Sequence, residues 1–167
     1  MDLFAAIDSR SSAARLTQPG PTPEHLARML EAAGHAPDHG RMRPWNLIVL
    51  EGPLKERFAA AAAQAKHRRL PAMTEEQLSA ERDKFLRSPS IVVVGCTVRD
   101  NPKVPEIEQV IAAGAATQNL FLAAHGLGYG VMWKTGAAAY DPGVKALLGL
   151  QERDHIVGII HLGTRLK

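Results

Sequence analysis

The chain has 167 residues, 46 % hydrophobic and 22 % charged, enough for one well-buried core and too ordinary in composition for a fibrous or disordered protein. Twenty lysines and arginines against seventeen acids give a formal net charge of +3, scattered along the chain, which does not mark a nucleic-acid-binding surface. A single cysteine excludes an intrachain disulfide and a cysteine-based zinc site, and no apolar run approaches the roughly 20 residues of a membrane helix.

The start, Met1-Asp2-Leu3-Phe4, lacks a signal-peptide pattern, so the expected location is the cytoplasm. Leu3, Phe4 and Ile7 at helical spacing predict a short helix over residues 2–9. Thr22, followed by Pro23, predicts the cap of a second helix with Leu26, Met29, Leu30 and Ala33 on one face and Gly34 at its end. The segment Ala36-Pro37-Asp38-His39-Gly40-Arg41-Met42-Arg43-Pro44 is too rich in proline and glycine for a helix and leads into a strand over 45–50.

An alanine-rich helix follows over 54–66, then an exposed basic stretch, Lys66-His67-Arg68-Arg69-Leu70-Pro71. Thr74 with Gln77 forms a capping box for a helix ending near Arg87. The continuous apolar run at 90–98 predicts a strand buried on both faces, with Cys96 an inert buried thiol. The longest helix spans 105–125; its centre, Ala112-Ala113-Gly114-Ala115-Ala116, suits close approach in a core or a dimer. A strand over 131–135, a helix capped by Asp141 and a strand over 155–162 complete the order. Helices between strands predict a single domain over 1–167, an α/β (α+β) three-layer sandwich with about four strands in its central sheet and helices on both faces.

Gly126, Gly128 and Gly130 lie between a helix and the following strand, the reverse of a dinucleotide-binding turn, and read as a helix C-cap. No phosphate loop, HExxH or GxSxG motif is present. Pro37 between His35 and His39 argues against a helical metal pair, and His25, His67, His125 and His161 read as structural or surface histidines. More informative is Arg10-Ser11-Ser12-Ala13-Ala14-Arg15, two guanidiniums and neighbouring hydroxyls suited to a phosphate monoester.

That segment resembles the opening Arg-Arg-Ser-x-x-Arg of the FMN-dependent nitroreductase family, with Ser11 at the second arginine. The Ala36 to Trp45 loop is similar to the family's Ala-Pro-x-x-x-x-x-Gln-Pro-Trp, with Arg43 where glutamine is usual, and its Ala-Pro-Asp-His start is that of the small YdjA-like members. Lys103-Val104-Pro105, Trp133-Lys134-Thr135-Gly136, Ile156-Val157-Gly158 and Leu162-Gly163-Thr164 follow in the family's order. Relatives continue beyond the point matching Lys167 with a tail that clasps the dimer, so a weaker dimer or flavin site is expected.

The resemblance implies a homodimer with FMN at the subunit interface. Arg10, Ser11, Ser12 and Arg15 would hold its phosphate, Trp133, Lys134 and Thr135 would line the flavin, and His35 and His39 would reach it from the partner. It also implies hydride transfer from NADH or NADPH and a ping-pong cycle with a small aromatic acceptor, nitroaromatic or quinone; no catalytic acid or base is assigned. Two other readings are a flavoprotein of the same fold catalysing dehydrogenation or reductive elimination, and a non-enzymatic module using Arg41, Arg43, Lys66, Arg68 and Arg69 on anionic polymers. The interleaved acids Glu75, Glu76 and Glu81 weigh against the module.

Overall fold

The computed structural model describes residues 2–166; Met1 and Lys167, with the expectations attached to them, lie outside the described residues. Helix α1 (Leu3–Ser9) starts where the Asp2 carboxylate accepts from the Ala5 N–H. A two-residue strand, β1 (Leu16–Thr17), precedes α2 (Pro23–Gly34), whose Thr22 hydroxyl accepts from the His25 N–H. Then come β2 (Trp45–Val49), α3 (Gly52–Arg69), α4 (Glu75–Leu86), β3 (Ser90–Cys96) and the long α5 (Glu106–Gly126). Strand β4 (Gly130–Lys134), α6 (Pro142–Leu147) and β5 (His155–Arg165) complete the chain, with 3-10 turns at His39–Arg41 and Ala137–Tyr140. Both sides of the Thr74 capping box are made.

Helix α3 runs to Arg69, past its expected end near Lys66, and Arg68 to Pro71 are exposed as expected. Lys66, His67, Arg68 and Arg69 form its last turn, where cations favourably face the unpaired carbonyls of a helix end. Lys66 reaches the Glu81 carboxylate at 2.6 Å, and Arg68 donates twice to Asp141, at 3.1 and 2.6 Å. Those partners lie on other elements, so local sequence does not reveal them.

The sheet pairs β2 with β3, β3 with β5 and β5 with β4, every pair antiparallel, and β1 extends the ladder at the C-terminal end of β5. Since β3 and β4 flank β5 on opposite edges, they run parallel to each other, and α5 is the crossover that joins them. Strand β3 is central. Its Ile91 and Val93 pack with Phe58, Phe85 and Ile159 under α3 and α4, while Val92 and Val94 pack with Met29, Leu120 and Ile160 under α2 and α5. Helices therefore cover both faces, as the continuous apolar run requires.

Gly128 takes φ +89° and its N–H donates to the His125 carbonyl, the left-handed cap that lets α5 turn into β4. At Gly130 the constraint is space. A Cβ there would lie 2.6 Å from Leu16 Cδ2 and 3.1 Å from Arg165 Cα. Cys96 is fully buried and its thiol is pushed up to about 11 by burial, with Asp154 and Glu106 adding to the shift.

Candidate functional site

The outer side of β4 is where the two predicted basic and polar segments meet. The Ala13 N–H donates to the Val131 carbonyl at 2.8 Å, which lays the segment after α1 along β4. Arg165 braces that segment, its Nη2 donating to the Ser11 carbonyl at 2.6 Å and the Ser11 Oγ at 2.9 Å. Because residues alternate along a strand, Met132 and Lys134 face the α3/α4 side beside His161, and Trp133 packs on the α2/α5 side. The Trp133 indole N–H is fixed by the Val157 carbonyl at 3.0 Å.

Two clefts adjoin on the α3/α4 side. One, of about 700 Å³, is lined by Lys134, His161, Ala62, Phe85, Ala138 and Arg69, among others. The other, of about 460 Å³, is lined by Arg15, Arg87, Met132 and Leu166. Lys84, Lys134 and His161 line both. Volumes of this size hold a cofactor or a drug-sized ligand.

His161 is the chemical anomaly of the site. It is 4 % exposed, sits in the apolar run of β5 with its ring 5.7 Å from that of Phe85, and its Nε2 is buried without a hydrogen-bond partner. Burial, reinforced by Lys134 and Lys55, pushes its pKa down to about 4, so the ring is neutral at physiological pH. Nearby, burial would raise the Glu81 carboxyl, but hydrogen bonds from Lys66 and Lys84, both at 2.6 Å, hold it below its ordinary value.

Among the residues singled out from sequence, Arg15, Lys134 and Thr135 line these clefts, and Trp133 borders one of them although it packs with the α2/α5 cluster. Arg10 lines neither; its guanidinium stacks over the Phe121 ring at 5.2 Å. Ser11 is engaged by Arg165, and Ser12 is exposed beside it. His35 and His39 lie away from both clefts, at the end of α2 and in the next turn, where His39 Nδ1 meets Glu108 at 2.6 Å. Sequence reasoning missed His161, Lys84 and Arg87. Only His161 leaves a signal, an imidazole interrupting Ile159-Ile160-His161-Leu162.

Comparisons with known proteins converge. The family model described as the nitroreductase family matches residues 7–164. The chain is 38 % identical over 165 residues to YdjA of Escherichia coli (strain K12), whose name gives NAD(P)H nitroreductase as a provisional activity, covering 98 % of this chain and 88 % of that one. Among solved structures, a nitroreductase-like family protein from Bacillus cereus superposes with a TM-score of 0.83 at 27 % identity, covering 100 % of this chain and 87 % of that one. A nitroreductase with bound FMN from Bacteroides fragilis NCTC 9343 has the same fold, with a TM-score of 0.75 at 22 % identity over 98 % of this chain and 88 % of that one. With the family model spanning nearly the whole chain and the YdjA match covering nearly all of it as well, the chain belongs to the nitroreductase family.

Proposed function

We propose that the protein is an FMN-dependent oxidoreductase that takes a hydride from NADH or NADPH and passes electrons to nitroaromatic or quinone acceptors in a ping-pong cycle. The observation that carries this reading is the pair of adjoining clefts along β4, which combine cations, among them Arg15, Arg87, Lys84 and Lys134, with apolar side chains such as Phe85 and Ala138. Family membership, the name of YdjA and the FMN held by the Bacteroides fragilis protein support it.

The residues fit the cofactor. Arg15 and Arg87 offer charge-assisted donors to a phosphate dianion, and Arg10, Ser11 and Ser12 lie on the same segment as Arg15. His161 lines both clefts as a neutral ring beside Phe85 and Lys134. When bound, FMN supplies the hydride chemistry, and the protein supplies binding, orientation and charge. Lys134, which lines both clefts, would contribute positive charge to FMN bound there. Trp133 and Thr135 hold the strand end that lines it.

A homodimer is part of the proposal. Helix α1 exposes Leu3, Phe4 (75 %) and Ile7, and α5 exposes Ile107 and Ile111 (both 63 %), apolar surface that a second copy would cover. His35 and His39, absent from their own chain's clefts, would then reach the flavin of the partner. Sedimentation is expected to give the mass of two chains.

The experiment is a visible spectrum of the purified protein after FMN is added and excess removed, followed by anaerobic NADH or NADPH. Retained flavin absorbance that bleaches with either nucleotide and returns on adding a nitroaromatic or quinone is expected. A protein that stays colourless overturns the reading.

A further inference from the structure

The larger cleft carries more cations than an FMN phosphate needs. Besides Lys134 it is lined by Lys66, Arg69 and Lys84 against a single carboxylate, Glu81, and Lys66 and Lys84 both bind that carboxylate. Arg69 is different. It lines this cleft and not the one that contains Arg15 and Arg87, and among the described residues it meets no carboxylate or hydrogen-bond acceptor. Its neighbour Arg68 is neutralised by Asp141, whereas the Arg69 guanidinium lies 5.3 Å from the centre of the exposed Tyr140 ring. Stacking on an aromatic ring holds a guanidinium by its face and leaves the in-plane N–H donors free for a planar anion.

Beside the Lys66–Glu81–Lys84 cluster, the same cleft is lined by apolar Ala62, Leu70, Phe85, Ala137 and Ala138. An occupant that meets both Arg69 and this apolar lining would carry a hydrophobic body and a negative group. We infer that the cleft selects planar aromatic electron acceptors that carry a carboxylate or another anionic group, which Arg69 binds. This deepens the proposed oxidoreductase function and rests on it. A second source of the same chemistry is the pyrophosphate of NADH or NADPH, and the two separate cleanly because donor and acceptor react in different half-reactions.

The test compares 4-nitrobenzoate with the neutral, similarly shaped 4-nitrobenzamide on the FMN-loaded protein and its Arg69→Gln variant, with flavin content measured for both. The expected result is a kcat/KM preference for the carboxylate in the parent protein, lost by about tenfold in the variant through KM, with nitrobenzamide turnover, flavin content and the rate of flavin bleaching by NADH unchanged. Arg69→Lys is expected to restore part of the preference, since it keeps the charge but not the planar fork. Added salt is expected to erode the preference.

Equal losses for both acceptors, or no preference in the parent protein, overturn the inference while leaving the oxidoreductase reading standing. Slower bleaching by NADH in Arg69→Gln with acceptor selectivity intact assigns the anion to the donor and overturns it as well. A protein that holds no FMN overturns the oxidoreductase reading, and this inference with it.

Discussion

The two faces of the sheet are closed in different ways. Under α2 and α5, small residues let the long helix lie close, and Ala116, Leu120 and Ala124 are sealed against Val92, Val94 and Ile160. Under α3 and α4 the packing is as dense around Phe58, Ile91 and Ile159, but it gives out near the end of β4. There a buried histidine has an unpartnered nitrogen, two clefts adjoin, and cations outnumber acids. One face is built for stability and the other trades part of its packing for a site. Near the end of β4, incomplete packing and an unpartnered polar atom coincide, the combination expected of a ligand site.

Substitutions on the two faces are therefore expected to fail differently. On the closed face, Leu120→Ala removes a fully buried side chain and is expected to cost about 2–5 kcal/mol in denaturant unfolding, with unchanged FMN affinity in the molecules that remain folded. At the boundary, Gly130→Val drives a side chain into Leu16 and the Arg165 backbone, and a loss of about 1–3 kcal/mol together with weaker flavin retention is expected from thermal melts and bound-flavin absorbance.

On the open face, His161 makes stability depend on pH. Its folded pKa, about 4, lies below the ordinary 6.5, so the unfolded chain binds the extra proton first as pH falls. The flavin-free protein is expected to keep this stability above pH 6.5 and lose about 3 kcal/mol of it between pH 6.5 and 4, a dependence that His161→Gln removes. A variant with the same pH slope as the parent would deny the imidazole this role.

The smallest expected effect on stability is that of Arg15→Ala. Arg15 is exposed, so melting should barely change, while the FMN dissociation constant, followed by fluorescence titration, is expected to rise by about an order of magnitude. Unchanged affinity would remove Arg15 from the phosphate site.

Much of the frame was legible because it rests on local rules. Thr22 before Pro23, the Thr74–Gln77 box, the apolar run of β3 and the small-residue centre of α5 each announce themselves within a few residues. Strand β1 does not, because two residues carry no period and its pairing partner lies at the far end of the chain. The same holds for the site. Arg15, Trp133, Lys134 and Thr135 stand in recognisable segments, whereas His161 looks like one more strand residue until Phe85, Lys84 and Lys134 are folded around it. The pairings of Lys66 with Glu81 and of Arg68 with Asp141 join different elements and leave no local pattern.

The most direct test of the central claim is the electron density of a crystal of the FMN complex. The account expects flavin along β4 beside Lys134 and His161, with its phosphate at Arg15 and with His35 and His39 of a second copy against it. Flavin bound elsewhere on the molecule, or a phosphate remote from Arg15, would contradict it.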